Sequence, residues 1–124
     1  MEENMKFADL TRKIIGCGMK VHNYFGPGYP ENIYQKSLLI EFRKAGILYR
    51  SELVKDIYYE GELVGKRRLD IIAEDKVIVE LKAISELDEG CTNKILNYLK
   101  VFNQEVGLLL NFGCKSLQYK RFVN

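Results

Sequence analysis

Apolar residues recur along this chain first with a helical period and then with the period of strands. In residues 6–25, Leu10, Ile14, Ile15, Val21 and Phe25 fall near helical spacing with polar residues between them, which predicts an amphipathic helix. Gly16 and Gly18 weaken that helix or mark close packing. Gly26-Pro27-Gly28 breaks the pattern, and Pro30 suits the first turn of a new helix, where a missing N–H costs nothing. That helix is expected to run to about Ala45, with Gly46 as a left-handed cap and Ile33, Tyr34, Leu38, Leu39 and Phe42 on one apolar face. From Ile47 the pattern turns to strands: 47–53, then 54–59 and 63–73 around the turn Glu60-Gly61-Glu62, then 76–84. Residues 87–102 return to helical spacing, with Ile95, Leu96, Leu99 and Phe102 as the buried stripe. Residues 106–112 read as an apolar, central strand, and 116–123 alternate like an edge strand. The order predicts one α/β domain over residues 1–124, built on a mixed sheet.

Within this pattern, residues 68–84 carry the candidate chemistry. Two near-continuous apolar runs, LDIIA and VIVELKAI, are joined by a short charged turn. Glu80 and Lys82 are separated by one residue, so on a strand both project to the same side. A three-residue loop of Glu74, Asp75 and Lys76 would set Asp70 across from Glu80 and on the same face. A two-residue loop would set Asp70 across from Val79 and send Glu80 to the other face. Two carboxylates and an ammonium on one face suit a hard divalent cation, held by oxygens with water and substrate phosphate. The lysine would orient or deprotonate a water, or stabilise developing charge. The bland alternative is a solvated strand face with alternating charges. Against it, strands this apolar look buried on both faces, and charges are costly there without a role.

Composition narrows the chemistry. The chain has 124 residues, 47% hydrophobic and 29% charged, as expected of an ordinary globular domain. The formal net charge of +2 is too small to argue for nucleic acid by itself, so that reading rests on local charge and on metal. Cys17, Cys91 and Cys114 are far apart, odd in number and without a CxxC pair, which points to reduced thiols in a cytoplasmic setting and away from zinc. His22 is the single histidine, which excludes a multi-histidine metal site. The acidic, polar start MEENMKF does not read as a signal peptide, and no apolar run approaches the length needed to span a membrane.

Glu31 and Tyr34, three apart in Gly28-Tyr29-Pro30-Glu31-Asn32-Ile33-Tyr34, share a helix face. A first-turn glutamate is favoured by the helix dipole alone. The sharper reading brings Glu31 to the metal as an extra ligand, with Tyr34 holding its rotamer. The segments VHNYFGPGYPENIYQKSL, RRLDIIAEDKVIVELKAI and ILNYLKVFNQEVGLLLNFG, in this order over roughly residues 8–122, resemble the small bacterial GxxExxY proteins, a family grouped with the PD-(D/E)XK nuclease superfamily. The resemblance implies the restriction-endonuclease-like αβββαβ core. It implies that Glu31, Asp70, Glu80 and Lys82 match the family's active-site positions. Asp70 and Glu80 would then hold Mg²⁺ or Mn²⁺, helped by the Leu81 carbonyl and completed by Glu31, with Lys82 acting on the attacking water. Related exonuclease-type members carry Q-x-x-x-Y on the following helix, whereas here Lys94 precedes Tyr98. Lys94 would contact substrate phosphate as a point charge or lie in solvent. Tyr98 and Tyr34 are further candidate substrate contacts, and His22 would contact substrate phosphate or serve a structural role. Lys115, Lys120 and Arg121, interleaved with Tyr119, form a nucleic-acid surface or guard an edge strand. The expected activity is metal-dependent hydrolysis of DNA phosphodiesters, by a protein that acts away from membranes and that would be compatible with a homodimer. The competing expectation is a non-catalytic nucleic-acid-binding or protein-interaction module on the same fold.

Overall fold

The computed structural model describes residues 5–124, so the reading of the first four residues lies outside the described part. The elements are α1 (Ala8–Phe25), α2 (Glu31–Ala45), β1 (Tyr49–Tyr59), β2 (Glu62–Ala73), β3 (Val77–Lys82), α3 (Glu89–Val101), β4 (Val106–Asn111) and β5 (Gln118–Val123). They form a five-stranded mixed sheet in the order β1-β2-β3-β4-β5. Only β3 and β4 are parallel, with α3 as the crossover between them. The sequence from α2 to β4 is the expected αβββαβ core, preceded by α1 and followed by β5.

Side-chain alternation on the inner strands builds two cores. Ile71, Ala73, Val77, Val79, Leu81, Val106, Leu108 and Leu110 meet Ile14, Val21, Tyr34, Leu38 and Phe42 of α1 and α2. On the opposite face, Ile72, Ile78 and Leu109 meet Cys91, Ile95, Tyr98 and Leu99 of α3. Both β3 and β4 are thus sandwiched between helices, which explains why their sequences are nearly unbroken apolar runs. Gly18 is where α1 approaches the β4 end most closely. A Cβ there would stand 3.1 Å from Leu117 and 3.3 Å from Leu110, so the close-packing expectation fits Gly18, while Gly16 is open. Gly46 is left-handed at φ 75°, and Ile47 N–H returns to Phe42 C=O, ending α2 as expected.

Three features differ from the sequence expectation. The segments 47–53 and 54–59 form one strand, β1, bent at Glu52, which is left-handed at φ 55°. The α3 stripe uses Tyr98, while Leu96 faces solvent at 41% exposure, because Cys91, Ile95, Tyr98 and Leu99 follow i, i+4, i+7 and i+8 and Leu96 lies off that stripe. The outer part of the β1–β2 hairpin extends past β3, which pairs with β2 only over Ile71–Ala73. This projecting arm ends in the exposed residues Tyr58, Tyr59, Leu63 and Val64. Among the described residues no helix is long and apolar enough to cross a membrane.

Candidate active site

The β2–β3 turn sets the parity on which the site depends. Glu74 and Asp75 are both left-handed, at φ 55° and 54°, and Lys76 N–H donates to Ala73 C=O at 2.9 Å. Glu74 is tied to β1 through Leu48 N–H on its carboxylate, and Asp75 is paired with Arg50 at 2.6 Å. The loop is therefore the three residues Glu74, Asp75 and Lys76, and the ladder runs Ala73↔Val77, Ile72↔Ile78, Ile71↔Val79. The next step places Asp70 opposite Glu80.

There the ladder gives way to side chains. Asp70 N–H donates to Glu80 Oε1 at 3.3 Å, and Leu81 N–H donates to Asp70 Oδ2 at 3.2 Å. Each carboxylate is oriented through one oxygen. Asp70 Oδ1 accepts no hydrogen bond among the described residues, and Glu80 Oε2 faces the Lys94 ammonium at 3.8 Å. The N–H and C=O of one strand residue leave from the same edge, so the Leu81 carbonyl also faces this gap. The bend at Glu52 lies across β2 from Asp70, between the paired positions Ser51↔Ile71 and Leu53↔Leu69. Left-handed backbone at a residue with a side chain stores strain, and such strain tends to collect at functional sites.

Burial dominates the electrostatics. Glu80 is only 2% exposed. Burial, and then the Asp70 charge, push its carboxyl up to about 8, against the smaller opposing pull of Asp70 N–H, Lys94 and Lys82. Asp70 is also raised, first by burial. The Leu81 N–H and Lys94 lower it, and the charges of Glu31 and Glu52 raise it. Tyr98 is raised by burial and by Glu80. Glu80 is buried and Asp70 half-buried, and burial holds both carboxyls above their ordinary range. The donor set of two carboxylates, one with an unused oxygen, and a backbone carbonyl is all oxygen. Such oxygens suit a hard divalent ion better than zinc, which favours nitrogen and sulfur.

Three residues close the site on the α3 side. Lys82 follows Glu80 on the same face and is half-buried. Its strand is held beyond it by Asn111, which is fully buried, pairs with Lys82 in the parallel ladder, and clamps both the N–H and the C=O of Ile84 at 3.0 Å. The sequence reading missed Asn111; its only signal was a polar residue inside an apolar strand. Lys94 stands over the Tyr98 ring at 5.5 Å and reaches Glu80. Lys94 thus lies exposed to solvent while its ammonium borders the site.

Other candidates are placed differently. Glu31 occupies the first turn of α2, exposed and without a hydrogen bond, but its charge is felt at Asp70. Among the described residues no group of three or more His, Cys, Asp or Glu is arranged to hold a metal, so the tight three-carboxylate pocket is not formed. Tyr34 does not hold Glu31 and is not available to substrate. It is fully buried and stacked on Phe112; its hydroxyl donates to Gly26 C=O at 2.6 Å and accepts from Tyr29 N–H at 3.1 Å. The Gly-Pro-Gly break needed an internal partner, and this phenol is it. His22 is likewise turned inward, 4% exposed and hydrogen-bonded to the Cys114 carbonyl at 2.7 Å, so its role is structural rather than substrate contact.

A family model described as the PD-(D/E)XK nuclease superfamily matches residues 8–122. No curated protein matches the chain. Among solved structures, one described as "Crystal structure of SSO0001" is similar with a TM-score of 0.57 and 20% identity, over 75% of this chain and 49% of that one. At that identity the likeness bears on the fold alone, and this chain spans about half the length of that protein.

Proposed function

The chain belongs to the PD-(D/E)XK nuclease superfamily, and on that premise we propose that it hydrolyses DNA phosphodiester bonds with Mg²⁺ or Mn²⁺. The single observation that carries this is the Asp70–Glu80 pair. The two carboxylates face each other where the ladder opens, Glu80 buried and Asp70 half-buried, and burial raises the pKa of both. Asp70, Glu80 and the Leu81 carbonyl would hold the ion. A bound divalent ion lowers the pKa of its water and neutralises charge on the phosphate. Lys82, on the strand that Asn111 clamps at Ile84, would position the attacking water and stabilise charge developing on the phosphate. Tyr98 and Lys94 border the space where the phosphate would lie, and Glu31 adds negative charge at its mouth. The Gly28-to-Tyr34 segment further suggests the GxxExxY branch, with Tyr34 serving the fold and Glu31 the site.

One observation favours a second reading. The Lys94 ammonium lies 3.8 Å from Glu80 Oε2, so an internal cation partly serves the charge that a metal would serve. A non-catalytic nucleic-acid-binding module would keep that arrangement. A cleavage assay on single- and double-stranded DNA and RNA, with Mg²⁺, Mn²⁺ or chelator, separates the two. The nuclease reading expects metal-dependent cleavage that Lys82→Ala lowers at least about 100-fold, the scale of a positioned acid–base group. Binding without cleavage under every metal would establish the module instead.

A further inference from the structure

The projecting β1–β2 arm carries four cations, and its two faces treat them differently. On one face Lys66 is paired with Asp56 at 2.7 Å and Arg68 with Glu52 at 2.8 Å. On the other face Lys55 stands directly opposite Arg67 in the ladder. Neither has a carboxylate partner among the described residues. Like charges directly opposite each other in an antiparallel pair are destabilising. Arg67 is turned toward α3, where its Nε donates to Asn97 Oδ1 at 3.0 Å. That bond fixes the guanidinium while leaving its terminal nitrogens and the Asn97 amide N–H groups free to donate. A cleft of about 280 Å³ opens at this point, lined in part by Ile57, Lys66, Arg67, Asn97 and Val101, with Lys55 beside it on the neighbouring strand. Asn97 follows Lys94 by three residues, so both lie on one side of α3, and Lys94 is the ammonium beside Glu80.

We propose that Lys55, Arg67 and Asn97 form a binding site for a backbone phosphate of duplex DNA, adjacent to the phosphate at the carboxylate pair. The inference rests on the nuclease reading and adds where the substrate strand runs: from Glu80 along α3 and out onto the arm. Three helix residues advance about 4.5 Å, comparable to the roughly 3.4 Å that one nucleotide advances along a duplex strand. The site therefore takes a phosphate one or two nucleotides from the scissile one. An anion bridging Lys55 and Arg67 would relieve the repulsion that the free protein retains. The guanidinium, prepositioned by Asn97, presents its donors in the fork that matches a phosphate.

The test compares two double variants with the same change in charge, Lys55→Ala/Arg67→Ala on the arm and Lys13→Ala/Lys36→Ala at exposed positions of α1 and α2, both in a Lys82→Ala background with Mg²⁺. Binding of a fluorescent duplex is measured by anisotropy across a salt series. The first double variant should bind about 10-fold more weakly or worse, and the slope of log affinity against log salt should shrink by about 1 to 2. The second should stay within about twofold of the parent. In urea denaturation the first should be at least as stable as the parent, because a like-charge pair has been removed. Equal losses in both doubles, or an unchanged salt slope in the first, would overturn the site while leaving the nuclease reading intact. A parent that binds no duplex under any salt would overturn the site, while the cleavage assay on single strands and duplexes decides the nuclease reading separately.

Discussion

Glu80→Gln should stabilise the metal-free protein at pH 8 and leave it unchanged near pH 4.5. The folded chain holds the Glu80 proton up to about pH 8, because burial and the Asp70 charge both oppose the carboxylate. The unfolded chain releases it near the ordinary value of 4.5. Below 4.5 both states are protonated, and Glu80 contributes no pH dependence. Between 4.5 and about 8 unfolding releases a proton, so stability falls as pH rises, and the full loss is reached above the folded value. Each pH unit in that window costs about 1.4 kcal/mol. By pH 8 the loss is on the order of 4 kcal/mol, a large part of the 5–15 kcal/mol available to a domain of this kind. Glutamine has the shape of the protonated acid and never ionises, so the variant escapes the loss. Urea denaturation at pH 4.5, 6 and 8, with chelator, measures the difference directly. Saturating Mg²⁺ at pH 8 should restore the wild type and leave the variant where it was, because binding to the folded state alone adds stability. Parallel stability curves for the two proteins from pH 4.5 to 8, or a variant less stable at pH 8, would refute the account of the carboxylate pair.

The remaining predictions concern the groups around that pair. Glu31→Gln should weaken calorimetric Mn²⁺ affinity several-fold, whereas Glu41→Gln, a glutamate paired with Lys20 and Lys44, should not; equal affinities would return Glu31 to a surface charge at a helix N-terminus. Lys94→Met should tighten Mn²⁺ binding several-fold, since the ammonium competes for Glu80 Oε2, and an affinity that weakens would show that Lys94 supports the bound state instead. Tyr34→Phe removes the hydroxyl that joins Gly26 C=O and Tyr29 N–H, and should cost about 1–3 kcal/mol in denaturation; no loss would mean that the loop holds itself.

The parts of the site set by local periodicity were legible in the sequence. Strand alternation put Glu80 and Lys82 on one face, and counting the charged turn as three residues put Asp70 beside them. The helix ends at Gly26 and Gly46 were legible because glycine alone enters left-handed backbone without a steric cost. What distant segments supply was not legible. Nothing near Lys94 in the chain says that its ammonium meets Glu80, and nothing near Tyr34 says that Phe112 stacks on its ring. His22 and Tyr34 looked like substrate contacts because a polar atom in a motif implies a partner; their partners proved to be backbone carbonyls inside the fold. The bend at Glu52 carried no sequence signal, since glutamate is not a residue that prefers φ 55°.

The carboxylate pair spans a separation of only ten residues in a hairpin, and this has a kinetic consequence. Hairpins close in about 1–10 μs, long before a parallel crossover is completed. Asp70 and Glu80 therefore meet early, while water still surrounds both. They are dehydrated only when α3 brings Ile95, Tyr98 and Leu99 onto the sheet beside β4. With α3 docking after the rate-limiting step of folding, the ionisation penalty is expected to fall there too. Raising the pH from 5 to 8 should then leave the refolding arm of a chevron nearly fixed and steepen the loss through faster unfolding. A refolding rate that dropped with pH by as much as the equilibrium constant would place α3 docking in the transition state instead.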